Sequence, residues 1–117
     1  MIMLKKQTKI FKALSDSNRI RILKMLQIKP LCVCEITSIL GLATSTVSQH
    51  LSILKSAKLI TDEKDKKWIN YKINPETSDA EITDALFYVR LILKDDSTVI
   101  NDRKKLKNTD RRKICGI

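Results

Sequence analysis

The chain has 117 residues, of which 43% are hydrophobic and 4% aromatic, with two glycines and three cysteines. This length supports one compact domain, and the scarcity of glycine and aromatic residues argues against a β-sandwich or barrel and favours a helix-rich fold. A net charge of +10, from 23 basic and 13 acidic residues, indicates an anionic partner.

Two features of the sequence bear on where the protein works. The N-terminal apolar residues are interleaved with lysines, and no apolar run approaches the ~18 residues of a membrane span. An odd number of cysteines without a secretory signal also argues against a disulfide framework. We therefore expect a cytoplasmic protein with no membrane partner.

Two helices are predicted near the N-terminus. Apolar residues recur among lysines over residues 4–14, and "SDSN" at 15–18 supplies capping residues before a periodic segment at 17–27. The apolar face of this second segment is wider than a single contact requires. It is therefore predicted to be the central helix.

A helix–turn–helix is predicted next. Pro30 ends the second helix, "CEITSIL" reads as a short helix, and Gly41 suits the left-handed C-cap that closes it. The following segment, "TSTVSQHLSILKSAKL", has Val47, Leu51 and Leu54 at helical spacing, with short polar side chains elsewhere. Its inner face is apolar and its outer face polar.

A β-hairpin with lysines at its tip is predicted from residue 59, where "LITDEKDKKWINYKI" is rich in Ile, Thr, Trp and Tyr. Alternation places Ile69, Tyr71 and Ile73 on one face, expected to meet the core. Asp65 is a candidate for the left-handed turn position.

A last helix is predicted to begin at a capping box formed by Ser78 and Glu81. Its apolar stripe comprises Ile82, Leu86, Val89 and Leu93. One small domain can hardly cover this stripe as well as that of the first helix, so we expect the two helices to form a homodimer interface.

The C-terminal segment is strongly basic. Residues 103–117 hold seven basic residues and one acid, so residues 1–102 carry only +4 of the net charge. We expect a DNA-binding domain over residues 1–97 and a flexible basic tail over residues 98–117. The alternative for the tail is an auxiliary phosphate-binding arm.

The predicted fold class is mainly α with a β-hairpin wing, a winged helix–turn–helix, which suits duplex DNA. Gln49 can pair with adenine in the major groove, and lysines can neutralise phosphates. The plainer alternative is an ordinary surface helix, but five Ser or Thr residues between 44 and 52 are poor helix formers. His50, the single histidine, more simply meets a phosphate than a metal.

Three segments together resemble the ArsR/SmtB family of metal- and metalloid-responsive repressors, over about residues 8–95. They are "KALSDSNRIRILKML", "GLATSTVSQHLSILKSAKLI" and "KWINYKI". The resemblance implies a dimer on an inverted-repeat operator, without catalysis or an organic cofactor. The DNA contacts it implies are Thr44, Ser45, Thr46, Ser48, Gln49 and His50, with Lys66 and Lys67 in the wing.

The chain departs from the family pattern at three places. Ala43 replaces the usual cap serine, so Thr44 is the candidate to cap the helix instead, at the expense of a base contact. Ser17 replaces the usual proline, and the wing turn lacks glycine.

Cys32 and Cys34 flank one residue just after Pro30. Two residues this close in a regular helix point in nearly opposite directions, so Cys32 and Cys34 could not bind the same ion if both were helical. An extended Cys32 followed by a helical Cys34 brings the two sulfurs together, but only with local distortion of the backbone. That distortion is a candidate switch. From spacing alone, two small buried cysteines are the simpler interpretation.

The resemblance favours a sensor, because family members that sense As(III), Sb(III), Cd(II) or Pb(II) carry "LCVCDL" where this chain has "LCVCEI". It implies trivalent arsenic or antimony as inducer, with Cys32 and Cys34 as ligands. Cys115, in the tail, is a candidate third ligand for its own subunit's pair or for the partner's. An organoarsenical needs only two thiolates, and Cd or Pb are further alternatives. Thr37 stands where arsenic sensors have a third cysteine.

Two other functions remain open. A thiol-redox regulator on the same fold would use a disulfide instead of a metalloid. A constitutive DNA-binding protein would leave the cysteines inert. An enzyme is the weakest reading, since the chain has one histidine and no glycine-rich phosphate loop.

Overall fold

The computed structural model describes residues 2–75 and 78–109, which fold into helices and one antiparallel sheet. The elements in chain order are α1 (Ile2–Leu14), α2 (Ser17–Leu26), β1 (Leu31–Cys32), α3 (Val33–Leu40), α4 (Thr44–Ser56), β2 (Ile60–Asp65), β3 (Trp68–Ile73), α5 (Ala80–Leu91) and α6 (Ser97–Lys107). The strand order is β1-β3-β2. This arrangement confirms the predicted winged helix–turn–helix.

Helix α2 is central, as predicted, and packs against α1, α4, α5 and α6. It begins where the Asp16 carboxylate accepts hydrogen bonds from the backbone N–H groups of Asn18 and Arg19, an N-cap that fixes the entry of the chain. Ile22 and Leu23 are fully buried, because two adjacent faces of the helix meet neighbouring elements.

The helix–turn–helix consists of α3 and α4. Gly41 ends α3 in the left-handed conformation, with φ of 70°, and its N–H donates to the Thr37 carbonyl at 2.8 Å. Both observations match the predicted C-cap. Val47, Leu51 and Leu54 of α4 are buried, so this helix is held against the core by one face.

The wing is a tight hairpin of β2 and β3. Asp65 pairs with Trp68 inside the ladder, and the left-handed turn residue is Lys66, with φ of 58°, so the assignment of that position to Asp65 was wrong. Tyr71 packs against the core, whereas Ile69 is 48% exposed, contrary to expectation. The hairpin extends beyond the core there, so alternation no longer implies burial.

Helix α5 begins and ends differently from its prediction. Asp79 occupies the N-cap position, so the predicted cap Ser78 lies one residue outside, and Asp79 bonds the Lys6 ammonium at 2.6 Å. The helix ends at Leu91, and Leu93 is 42% exposed with φ of 61°, so the predicted stripe stops short of it. Lys24 donates to carbonyls at the end of α5 and fixes its termination.

The region expected to be a flexible tail from residue 98 instead continues the fold as α6. Val99 and Leu106 are buried on the inner side of α6, and Asp102 is buried in an ion pair with Arg21 of α2. These buried positions are spaced by three and four residues, so the helix has a narrow inner stripe that its lysines obscure in the sequence. Residues 110–117 lie outside the described part.

None of the described helices combines the length and apolar character that crossing a membrane requires.

Candidate DNA-binding surface and cysteine pair

The outer face of α4 is polar and accessible. Its exposed residues among those predicted to contact DNA are Thr44, Ser45, Thr46, Ser48 and Gln49. The backbone places them there because the apolar residues of the same helix are drawn into the core. A helix of this kind fits the width of the major groove, and its short side chains leave room for close approach to base edges.

The N-terminus of α4 lacks a side-chain cap. Ala43 holds the N-cap position and no side chain accepts a hydrogen bond from the first turn. Thr44 is the first residue of the helix, so it does not take over the capping role that the sequence left to it. The free N–H groups and the positive end of the helix dipole favour an anion such as a phosphate.

His50 is half-buried and is held by a residue that sequence reasoning missed. The Arg19 Nη1 lies 3.2 Å from His50 Nδ1, and the same guanidinium donates to the carbonyls of Ala13 at 2.8 Å and Lys12 at 3.1 Å. Because arginine only donates, Nδ1 of His50 is the acceptor in this contact. Arg19 thus links the end of α1 to α4, a connection that no spacing pattern in the sequence indicates.

The two wing lysines occupy the hairpin turn. Lys66 and Lys67 are both exposed, and the Lys67 ammonium lies 5.9 Å from the centre of the Trp68 ring.

From residue 36 to residue 61, which covers nearly all of the helix–turn–helix, the sequence contains no acidic residue. The surface expected to meet DNA is therefore free of carboxylates along that stretch.

The cysteine pair lies where the sheet passes into α3. The Cys32 and Cys34 sulfurs are 3.4 Å apart. Cys32 is extended, with φ of −90° and ψ of 168°, and Cys34 lies in the first turn of α3, which confirms the predicted backbone geometry. The helix nevertheless begins regularly at Val33, so the sulfurs meet without the expected distortion. Cys32 is buried and Cys34 half-buried.

Glu35 supports this position and was also missed. Its carboxylate accepts a hydrogen bond from the Cys32 backbone N–H at 3.0 Å, and the side chain is nearly fully buried. This is the acidic half of a capping box, in which Cys32 holds the place usually taken by serine or threonine. The spacing C-x-x-E at 32–35 is a sequence signal for this capping box. It is easily overlooked when the two cysteines are considered only as ligands.

Cys32 is also part of the sheet that carries the wing. Strand β1 pairs with β3, with Leu31 opposite Tyr71 and Cys32 opposite Asn70. The cysteine pair therefore adjoins both the helix–turn–helix and the wing.

Within residues 2–75 and 78–109, no three His, Cys, Asp or Glu side chains converge as a metal site. The third predicted ligand, Cys115, lies outside the described residues. The described part of the chain therefore contains two of the three predicted ligand cysteines, Cys32 and Cys34.

Helices α1 and α5 expose an apolar surface. Their exposed large apolar side chains are Ile2, Met3, Leu4, Phe11, Phe87, Tyr88 and Leu91. Between the two helices runs a groove of about 530 Å³, whose walls include Phe11, Leu14 and Tyr88. This is the surface expected to form the dimer interface.

The sequence matches the model of the family described as "Bacterial regulatory protein, arsR family" over residues 16–62. It is 34% identical over 67 residues to the arsenical resistance operon repressor of Escherichia coli, covering 56% of this chain and 57% of that protein. It is 38% identical over 69 residues to a homologue of the cadmium resistance regulator CadC from Staphylococcus aureus, covering 58% and 57%. The matched region thus spans little more than half of these two relatives.

The similarity to the arsenical resistance operon repressor of Bacillus subtilis is more extensive, with 36% identity over 85 residues, 72% of this chain and 81% of that protein. Among solved structures, a homodimeric winged helix–turn–helix DNA-binding domain from Mycobacterium bovis has the same fold, with a TM-score of 0.67 at 23% identity. It covers 92% of this chain and 88% of that one. These proteins are regulators, not enzymes. The chain belongs to the arsR family of bacterial regulatory proteins.

Proposed function

We propose that the protein is a cytoplasmic, homodimeric repressor that occupies an inverted-repeat operator and leaves it when a thiophilic metalloid binds Cys32 and Cys34. The observation that carries this proposal is the 3.4 Å separation of the two sulfurs at the start of α3, the first helix of the helix–turn–helix. Ligand binding at this point acts directly on the DNA-reading unit.

The inducer we favour is trivalent arsenic or antimony. The two sulfurs lie close enough for a single ion to contact both, and a third thiolate would complete the pyramidal S₃ centre that we favour for trivalent arsenic. Thiolates also select soft ions. The arsenical names of two relatives support this choice, and the cadmium relative keeps Cd or Pb as the alternative.

Cys115 is proposed as the third ligand. The Lys29 ammonium lies 3.5 Å from the Leu106 carbonyl, so the end of α6 lies beside the segment that leads to Cys32. Cys115 follows Thr109 by six residues, which can span up to about 20 Å when extended. We propose that it supplies a thiolate to its own subunit's pair or to the partner's. A monosubstituted organoarsenical needs only the two described thiolates.

The proposed switch is strain at the start of α3. A ligand that draws both sulfurs to bonding positions shifts Cys32 against the Glu35 carboxylate that holds its N–H. Ile36 and Ile39 are buried in the core, and α3 packs on α4, so the displacement reaches the DNA-facing helix. A coupling free energy of ~1–3 kcal/mol between inducer and operator is ordinary for such a device.

On DNA, the proposed contacts are the exposed face of α4 and the wing lysines. Gln49 is proposed to read a base, Thr44, Ser45, Thr46 and Ser48 to contact bases or phosphates, His50 to meet a phosphate, and Lys66 and Lys67 to neutralise phosphates. A dimer formed through α1 and α5 presents two such surfaces, which suit half-sites about 10 bp apart.

The second candidate function is a thiol-redox repressor. The same 3.4 Å separation places the sulfurs close enough to form a disulfide after a small movement, which would strain α3 in a similar way. Response to an oxidant without metalloid, reversed by a reductant, would favour this function. A constitutive DNA-binding protein would respond to neither.

The test is fluorescence anisotropy of the reduced protein on its own promoter DNA, titrated with arsenite. The proposal expects release at near-stoichiometric arsenite in the wild type and none in Cys32→Ser. Cys115→Ser is the matched variant, since it removes one thiol outside the pair: weaker release would make the tail a ligand, and unchanged release would favour two-thiolate binding. Wild-type binding that persists through the titration would exclude arsenite as the inducer.

A further inference from the structure

Helix α6 presents a group of lysines at its C-terminal end. We define the α6 lysine surface as Lys29, Lys104, Lys105 and Lys107, all of which are exposed. Lys29 belongs to it because its ammonium lies 3.5 Å from the Leu106 carbonyl of α6. The salt bridges among the described residues involve other cations, so none of the described carboxylates forms an ion pair with this surface.

The position of this surface relates it to the helix–turn–helix. The Lys105 ammonium lies 3.5 Å from the Ile39 carbonyl, in the last turn of α3. Ile39 precedes Gly41 by two residues and Thr44, the first residue of α4, by five. The last turn of α6 therefore lies beside the turn that leads into the DNA-facing helix.

The anchoring of α6 keeps the lysines in this position. Asp102 is held by Arg21 of α2, and Leu106 is buried in the core, so the inner face of the helix is fixed. The one acid of α6 is thereby removed from the surface, and the exposed face near its end carries cations only. Lysines in the last turn of a helix also stabilise it by opposing the helix dipole. That role would explain the lysines of α6 by themselves, but it does not account for their position beside the helix–turn–helix.

We propose that the α6 lysine surface contacts the phosphate backbone beside each half-site and so extends the DNA footprint beyond the helix–turn–helix and wing. The partner is the backbone of duplex DNA, contacted without regard to sequence, because flexible ammonium groups on an exposed face bind phosphate as point charges. This inference rests on the proposed operator binding and adds a surface to it.

The experiment uses the full chain and two operator duplexes, one trimmed to its half-sites and one with about one helical turn of flanking DNA at each end. The variant Lys104→Gln/Lys107→Gln removes two of the lysines. Its control, Lys5→Gln/Lys94→Gln, removes two exposed lysines outside the proposed DNA-binding residues and lowers the net charge equally. Affinity is measured by anisotropy at several salt concentrations.

The wild type and the control are expected to bind the longer duplex more tightly than the trimmed one, with a steeper dependence on salt. In Lys104→Gln/Lys107→Gln, each lost phosphate contact reduces the slope of log K against log salt by about 0.9, and the affinity for the longer duplex falls by at least about tenfold near 0.1 M salt. Lys104→Arg/Lys107→Arg keeps the charge and is expected to restore both, which separates charge from any loss of helix stability.

A slope on the longer duplex that falls no further than in the control would overturn the inference. In that case, sequence-specific binding and arsenite release by the wild type would leave the proposed repressor function standing. If the wild type binds neither duplex, the operator-binding proposal and this inference fail together.

Discussion

The Arg21 guanidinium donates two hydrogen bonds to the Asp102 carboxylate, from Nε to Oδ2 at 2.8 Å and from Nη2 to Oδ1 at 2.9 Å. The pair joins α2 to α6, and the hydrogen bond from Asp102 raises the pKa of Arg21 above its usual value. The side chain of Asp102 is 4% exposed and that of Arg21 is 21% exposed, so the contact is largely shielded from water.

Replacing Asp102 with Ala is expected to lower the free energy of unfolding by about 2–3 kcal/mol, because it leaves a partly buried guanidinium without its partner. Urea denaturation followed by circular dichroism measures the change. Asp95→Ala, at an exposed site, is the control and is expected to change stability little. Arg21→Met/Asp102→Leu is expected to recover much of the loss, and an Asp102→Ala effect as small as that of the control would contradict this account.

The Asp16 cap predicts a pH dependence. Burial alone would raise the pKa of Asp16, but hydrogen bonds from the backbone N–H groups of Arg19 and Asn18, with His50 nearby, more than offset it, so the pKa lies below 3.8. The stabilisation is therefore present above pH ~3.8 and is lost as the pH falls through the lower folded-state pKa. Asp16→Ala is expected to cost ~1 kcal/mol near pH 7 and progressively less in acid.

Unfolding of the wild type, Asp16→Ala and Asp16→Asn between pH 2 and pH 7 checks this prediction, in urea at each pH. Asparagine keeps the cap without the charge, so Asp16→Asn is expected to retain most of the stability at neutral pH. A difference between wild type and Asp16→Ala that stays constant down to pH 2 would show that ionisation of Asp16 plays no part.

The apolar surface on α1 and α5 predicts the oligomeric state. Phe11 is 64% exposed and Tyr88 62% exposed, and both border the groove between these helices. Phe11→Asp/Tyr88→Asp is expected to turn a dimer into a monomer of 13.4 kDa, because charges cannot be buried there without partners. Light scattering after size-exclusion chromatography measures the mass.

Ile28→Asp is the matched control, since Ile28 is 51% exposed but lies after α2, outside both helices. It is expected to leave the mass at twice that of the chain. A wild type that elutes as a monomer at micromolar concentration would refute the dimer, and a dimeric Phe11→Asp/Tyr88→Asp would place the interface elsewhere.

The proposed DNA contacts of α4 and of the wing predict different effects on DNA binding. Gln49→Ala is expected to reduce discrimination at one base position by ~1–3 kcal/mol and to leave the salt dependence unchanged. Lys66→Gln/Lys67→Gln is expected to weaken binding to all sequences and to reduce the slope of log K against log salt by about 0.9 per lysine. Competition with single-base operator variants at several salt concentrations separates the loss of base discrimination from the loss of phosphate contacts. If Gln49→Ala changed the salt dependence and the lysine variant changed base discrimination, the assigned roles would be reversed.

Most of the fold could be predicted from the sequence because its elements carry strong local signals. The apolar spacing of α4, the left-handed Gly41 and the β-branched and aromatic residues of the hairpin each match their observed structure. The paired geometry of Cys32 and Cys34 also followed, from an extended residue placed before a helical one.

What could not be predicted depends on tertiary partners. The sequence predicts a flexible tail in place of α6 because lysines dominate the composition of that segment. The burial of its inner face depends on Arg21, which is 81 residues from Asp102 in the chain. The link from Arg19 to His50 and the start of α5 at Ala80 are likewise fixed by contacts between distant segments. The exposure of Ile69 reflects how far the wing extends past the core, which alternation along one strand does not encode.

Strand β1 has only two residues, so two register pairs join the cysteine segment to the wing. A ladder this short can open locally while the core stays folded. The proposed inducer therefore has two routes to the operator, through α3 into α4 and through β3 into the wing. Neither route uses a side chain that is proposed to read a base. Mutations can consequently change the inducer preference without changing the operator preference, and the reverse. Closely related regulators can therefore share one preference and differ in the other.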